Sequence, residues 1–142
     1  MKEVLFFAEG VEYPSFFSEF RVKEWLDAIA LHYSRENGTL SFIFCDDDYI
    51  LEVNKQYLSH DYYTDVITFD YCTDRILSGD IFISLDTVKS NAEKFNTTYE
   101  NELHRVICHS LLHLIGFKDK TEPDSVVMRS NENICLELLK TL

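Results

Sequence analysis

"TDVITFDYCTDRILSGDIFIS", residues 64–84, decides the fold class. Two runs rich in β-branched and aromatic residues, "TDVITFDYC" (64–72) and "GDIFIS" (79–84), flank a short turn-like segment. Side chains of this kind suit a pleated, half-buried backbone, and a connection this short pairs its strands antiparallel. Working outward, "EVLFFAE" (3–9) reads as a first strand, broken at Pro14 and Ser15. Val22, Trp25, Leu26, Ile29 and Tyr33 recur at the helical period, and Asn37–Gly38 is expected to end that helix. "TLSFIFCD" (39–46) is a second strand, and Asp46–Asp48 supply acids to the start of a short helix carrying Ile50, Val53 and Tyr57.

Beyond the hairpin, Leu85, Val88, Ala92 and Phe95 mark a helix, and "NTTYE" (96–100) opens another. Pro123 suits the first turn of a last helix, with Val127, Ile134 and Leu138 expected along one face. The order is therefore β-α-β-α-β-β-α-α-α. A helix between strands 1 and 2 implies a parallel pair with a right-handed crossover. A sheet holding both senses, with helices packed on it, belongs to the α+β class: one domain over residues 1–142, a small mixed four-stranded sheet and about five helices.

A chain of 142 residues buries roughly 70% of the surface its unfolded form exposes, so it needs no staples. Cys45, Cys72, Cys108 and Cys135 are widely spaced with no C-x-x-C, and each lies in or beside an apolar element. They read as small hydrophobes in a reducing compartment, which points to the cytoplasm. The apolar run near the N-terminus is too short for a signal-peptide core, and no stretch reaches the ~20 apolar residues of a membrane span. The net charge of −12 argues against a generic nucleic-acid-binding surface, which needs clustered Lys and Arg, while leaving room for a local basic groove.

"HSLLHLIGFKD" (109–119) carries the chemistry. Positions i and i+4 stack on one helix face, so His109 and His113 can present both imidazoles to one cation. Gly116 accepts the left-handed conformation that ends helices, and a sharp turn there lets Asp119 reach the same cation. Two imidazoles and a carboxylate make a three-ligand site with an open position, the form of catalytic zinc. Glu122 and Asp124 compete for the third place, but they flank Pro123, where acids already serve a helix N-terminus. The glutamate that follows the first histidine in H-E-x-x-H proteases is Ser110 here, which disfavours peptide hydrolysis. A metal still polarises a phosphoryl oxygen, so phosphodiester cleavage remains open. His32 and His104 read as surface or boundary residues, His60 as solvated, and Thr64 and Asp65 as a structural strand start.

Taken together, "HSLLHLIGFKD", "NKQYLSHDYYTDVITFDY" (54–71) and "SGDIFIS" (78–84) resemble the YbeY family of bacterial metal-dependent endoribonucleases. That family carries H-G-x-L-H-L-x-G-Y-D-H, preceded by N-x-x-Y-R … T-D-V-L-S-F-P and a G-D-I-x-I-S strand. The resemblance spans about the C-terminal two thirds of the chain. It implies single-strand RNA cleavage in ribosomal RNA maturation, especially at the 3′ end of the small-subunit RNA, and in ribosome quality control. It also implies one divalent ion of the zinc type, single-stranded rRNA and the small ribosomal subunit as partners, and His109 and His113 as the first two ligands. Three departures stand out. Asp119 replaces a third histidine, Ser110 replaces a glycine, and Leu58 replaces an arginine that could stabilise phosphate charge. Lys55, His60, Lys89, Arg105 and Lys118 are the candidate substitutes for that cation. The rivals are a non-catalytic assembly factor braced by a metal, a zinc protease, and a two-His-one-carboxylate iron oxygenase.

Overall fold

The computed structural model describes residues 2–58 and 64–142. Along them run β1 (Glu3–Ala8), α1 (Glu19–His32), β2 (Glu36–Cys45), α2 (Asp47–Leu58), β3 (Val66–Asp70), β4 (Ile76–Ser84), α3 (Leu85–Lys94), α4 (Tyr99–Ile115) and α5 (Glu122–Lys140). The sheet order is β1-β2-β4-β3. β1 and β4 both run parallel to β2, and β3 returns antiparallel on β4. This is the mixed four-stranded α+β sheet with five helices expected from the pattern. Gly79 makes the β3–β4 approach possible, because a Cβ there would collide with the Phe69 carbonyl.

Alternation along the strands gives the sheet two unlike faces. One packs on α1 and α4, with α5 laid against those two helices, burying Trp25, Leu26, Phe42, Leu77, Ile81, Ile107 and Leu111 among others. Each such side chain contributes about 1.5–3 kcal/mol by leaving water. The other face holds a smaller cluster, Cys45, Ile50, Val53 and Ile67, beneath α2. β3 is the edge strand between the two. Among the described residues, no helix is long and apolar enough to cross a membrane.

Three expectations fail, each for a physical reason. Asn37–Gly38 does not end α1; it lies inside β2. The chain has already turned at Ser34, whose φ is 58°. Gly38 is needed because a Cβ would meet Ile76 Cγ2 at 2.7 Å, and the β2–β4 register shifts between Asn37 and Leu40. On α5 the buried face is Met128, Glu132, Cys135 and Leu139, while Val127 and Ile134 are exposed. The true stripe contains a charge, which a search for apolar periodicity rejects. His104 is buried rather than at the surface, edge-on to Trp25 at 5.5 Å, and burial lowers its pKa from 6.5.

Candidate metal centre

α4 begins at Thr98, whose hydroxyl accepts from the Asn101 N–H, and it ends at Gly116 with φ 125° and ψ 0°. The Gly116 N–H bonds back to the Leu112 and His113 carbonyls, at 3.1 Å each. The reversal carries the next three residues back past the last turns of the helix. As a result His109 Nε2 lies 3.2 Å and His113 Nε2 3.5 Å from the same oxygen, Asp119 Oδ2. The ligand atoms of all three residues lie within 4.8 Å of one another. Ligand bonds of about 2.0–2.2 Å place tetrahedral ligand atoms about 3.3–3.6 Å apart; the two distances to Asp119 Oδ2 fall near that range, and imidazoles with a carboxylate are donors that suit one small divalent ion. Glu122 and Asp124 sit in the first turn of α5, exposed or nearly so, with Thr121 as the cap.

Glu132 escaped the reading of the sequence. Its Oε2 lies 2.6 Å from His109 Nδ1, and its Oε1 accepts from Arg105 Nη1 at 2.9 Å. Engaging Nδ1 leaves Nε2 facing Asp119. Burial opposes a charged His109, but the hydrogen bond and charge of Glu132, then Asp119 and Asp65, outweigh it and raise the imidazole pKa. Burial would likewise raise Glu132; His109 and Arg105 reverse this and lower it. The two shifts agree in sign: each group favours the charged form of the other. The available signal was a glutamate one turn from both Met128 and Cys135 on a buried helical stripe.

Asp65, just before β3, belongs to the same electrostatic neighbourhood. Burial raises its pKa, His109 pulls it down and Asp119 pushes it up. Its neighbour Thr64 bonds locally to the Val66 carbonyl at 3.5 Å. Beside the cluster runs a groove of about 350 Å³ lined by Val66, Thr68, Asp70, His113 and Leu114, along the edge strand. Ser110 faces away from it, fully buried, with its hydroxyl donating to the Ile107 carbonyl at 2.6 Å.

Of the candidate cations, Arg105 is held by Glu132 and, at 3.0 Å, by Asn133, so it does not rim the groove. Lys89 lies over the Tyr99 ring at 5.3 Å, and Lys55 pairs with Glu52 at 3.9 Å. Lys118 is exposed beside Asp119, Leu58 is 40% exposed at the end of α2, and His60 lies outside the described residues.

The family model described as "Endoribonuclease YbeY" matches residues 10–140. A Bacteroides fragilis protein named Endoribonuclease YbeY is 52% identical over 132 residues, covering 93% of this chain and 94% of its own. The Porphyromonas gingivalis protein of the same name is 46% identical over 140 residues, with coverages of 99% and 92%. A Thermotoga maritima protein solved in solution superposes with a TM-score of 0.71 at 30% identity, over 96% of this chain and 89% of that one.

Proposed function

The chain belongs to the YbeY family of endoribonucleases, and from that premise we propose that it cleaves single-stranded RNA at the cluster of His109, His113 and Asp119. The RNA is ribosomal, matured at the 3′ end of the small-subunit RNA and surveyed in ribosome quality control, with the small subunit as partner and the cytoplasm as the compartment. The observation that carries the reading is the convergence of both Nε2 atoms on one Asp119 oxygen beside an open groove. Two imidazoles and one carboxylate form a borderline donor set, which favours zinc. When bound, such an ion supplies Lewis-acid polarisation of a phosphoryl oxygen and activates water near neutral pH.

The rest is the work of the chain's own side chains. Glu132 holds the Nδ1 proton of His109 and so fixes the tautomer whose Nε2 lone pair faces the site. The turn at Gly116 brings in Asp119, and the exposed edge of β3 offers a floor for an extended strand of RNA. Ser110 is turned into the core and offers no base to the groove, which weighs against the protease rival.

The test loads the protein with zinc and offers it single-stranded RNA and casein. RNA should be cut, casein spared, and a chelator should stop the cutting. A 3′-hydroxyl end identifies attack by water; a 2′,3′-cyclic phosphate identifies attack by the neighbouring ribose hydroxyl. Proteolysis without RNA cleavage sinks the proposal. Rescue of rRNA processing in cells by His109→Ala/His113→Ala protein favours the assembly-factor rival instead.

A further inference from the structure

β3 carries different chemistry on its two faces. Val66, Thr68 and Asp70 line the groove beside His113. Phe69, with Tyr71 just past the strand, lines a second groove of about 280 Å³ with Tyr57, Asp80 and Phe82. Ring centroids step from Tyr49 to Phe82 (6.2 Å), to Phe69 (6.0 Å) and to Tyr57 (5.9 Å). α2 seals the inner part of this face through Ile50 and Val53. Core packing accounts for Phe69 and Phe82, which are half-buried. It does not account for Tyr57 and Tyr71, which are 62% and 55% exposed at the groove.

Resting on the reading of the metal cluster as an RNA-cleaving centre, we propose that this second groove is a nucleobase-stacking subsite for the same single-stranded RNA, whose backbone crosses the edge of β3 between the two grooves. Continuity is the first argument: alternate residues of one short edge strand line both grooves, so a strand in the first reaches the second by crossing β3. Charge is the second. Asp80 Oδ2 accepts from the Tyr71 hydroxyl at 3.2 Å, and a carboxylate there repels phosphate while accepting from the amino edge of a base. The occupant is therefore the base, not the backbone. The third is affinity. A chain of net charge −12 gains little from phosphate neutralisation, whereas stacking on aromatic rings needs no positive charge. The volume, just under the ~300 Å³ at which small-molecule pockets begin, suits a planar group.

The test uses Tyr57→Ala and Tyr71→Ala, with Tyr57→Phe and Tyr71→Phe as conservative partners. Anisotropy of labelled single-stranded RNA is read on chelated protein, and KM and kcat on zinc-loaded protein. Each alanine variant should weaken binding and raise KM about tenfold, with kcat unchanged. The phenylalanine variants should match the parent, and the salt slope should stay the same because no cation is removed. RNA carrying 2-aminopurine should be quenched by the parent and the phenylalanine variants, and less by the alanine variants. Unchanged RNA affinity in the alanine variants overturns the subsite. So does dissociation of an oligomer in sedimentation with RNA affinity intact, which assigns the face to a second copy. If the parent cuts no RNA yet binding and quenching still depend on the two tyrosines, the subsite stands and the cleavage reading falls.

Discussion

Glu132 Oε2 and His109 Nδ1 lie 2.6 Å apart, joining α4 to α5 across 23 residues of sequence. The contact makes one buried carboxylate serve Arg105 and a candidate ligand histidine together. Glu132→Ala therefore takes the carboxylate from two part-buried partners, leaving Arg105 with Asn133 alone. The expected loss of stability is about 1–3 kcal/mol, as for a lost hydrogen bond to a charged group. Glu132→Gln keeps the shape and should fold. Because the amide anchors His109 more weakly, zinc affinity should drop about 10–100-fold. Chemical denaturation and competition with a fluorescent zinc chelator measure the two effects; unchanged zinc affinity in the glutamine variant would remove Glu132 from the site.

The same pair sets a pH dependence in the metal-free protein. His109 titrates above its ordinary 6.5 when folded, so its contribution is complete below 6.5 and is lost as pH rises through the raised value. Glu132 titrates below its ordinary 4.5, so its contribution is present above 4.5 and is lost as pH falls through the lowered value. The stability difference between parent and Glu132→Gln should peak between those two pH values and shrink on either side. His104, whose pKa burial depresses, destabilises both proteins alike as pH falls below 6.5 and cancels in the difference. Protons compete with metal for His109, so zinc affinity should fall as pH drops through the raised value. Denaturation curves of the two chelated proteins across pH check the window, and a flat difference contradicts it.

The element order and the approach of His109, His113 and Asp119 to one another were legible in the sequence because both rest on local signals. Strand and helix periods, the four-residue histidine spacing and the glycine turn each act within a few residues. What escaped was set by contacts between distant segments. Asn37–Gly38 has the composition of a turn, yet its conformation answers to Ile76 and Asp27. Glu132 breaks the apolar period of α5 because its partners are on α4. Asp65 resembles a strand start, and its link to His109 and Asp119 depends on how β3 meets α4. Arg105 invited assignment to RNA, but Glu132 and Asn133 already hold it.

Leu58 stands where the resembling family carries arginine, at the exposed end of α2. If that end faces the RNA, Leu58→Arg should add one phosphate contact. The plot of log affinity against log salt should then steepen by about 0.7, the single-strand value. Folding should be unaffected, since the side chain is partly in water. Titrations of labelled RNA at several salt concentrations check it; an unchanged slope would mean that position 58 points away from the substrate.

The last prediction concerns the third ligand. Asp119 shares one oxygen between two Nε2 atoms, whereas Glu122 and Asp124 lie in the first turn of α5. Asp119→Ala should therefore abolish stoichiometric zinc binding, because two imidazoles alone leave a site half open. Asp119→His supplies a third imidazole and should retain zinc. Glu122→Ala removes an acid from a helix N-terminus and should cost no more than ~1 kcal/mol, with zinc unchanged. Zinc content of each purified variant, read beside its melting temperature, separates lost ligation from lost folding. If Asp119→Ala keeps full zinc while Glu122→Ala or Asp124→Ala loses it, the third ligand comes from α5, and the turn at Gly116 only closes the helix.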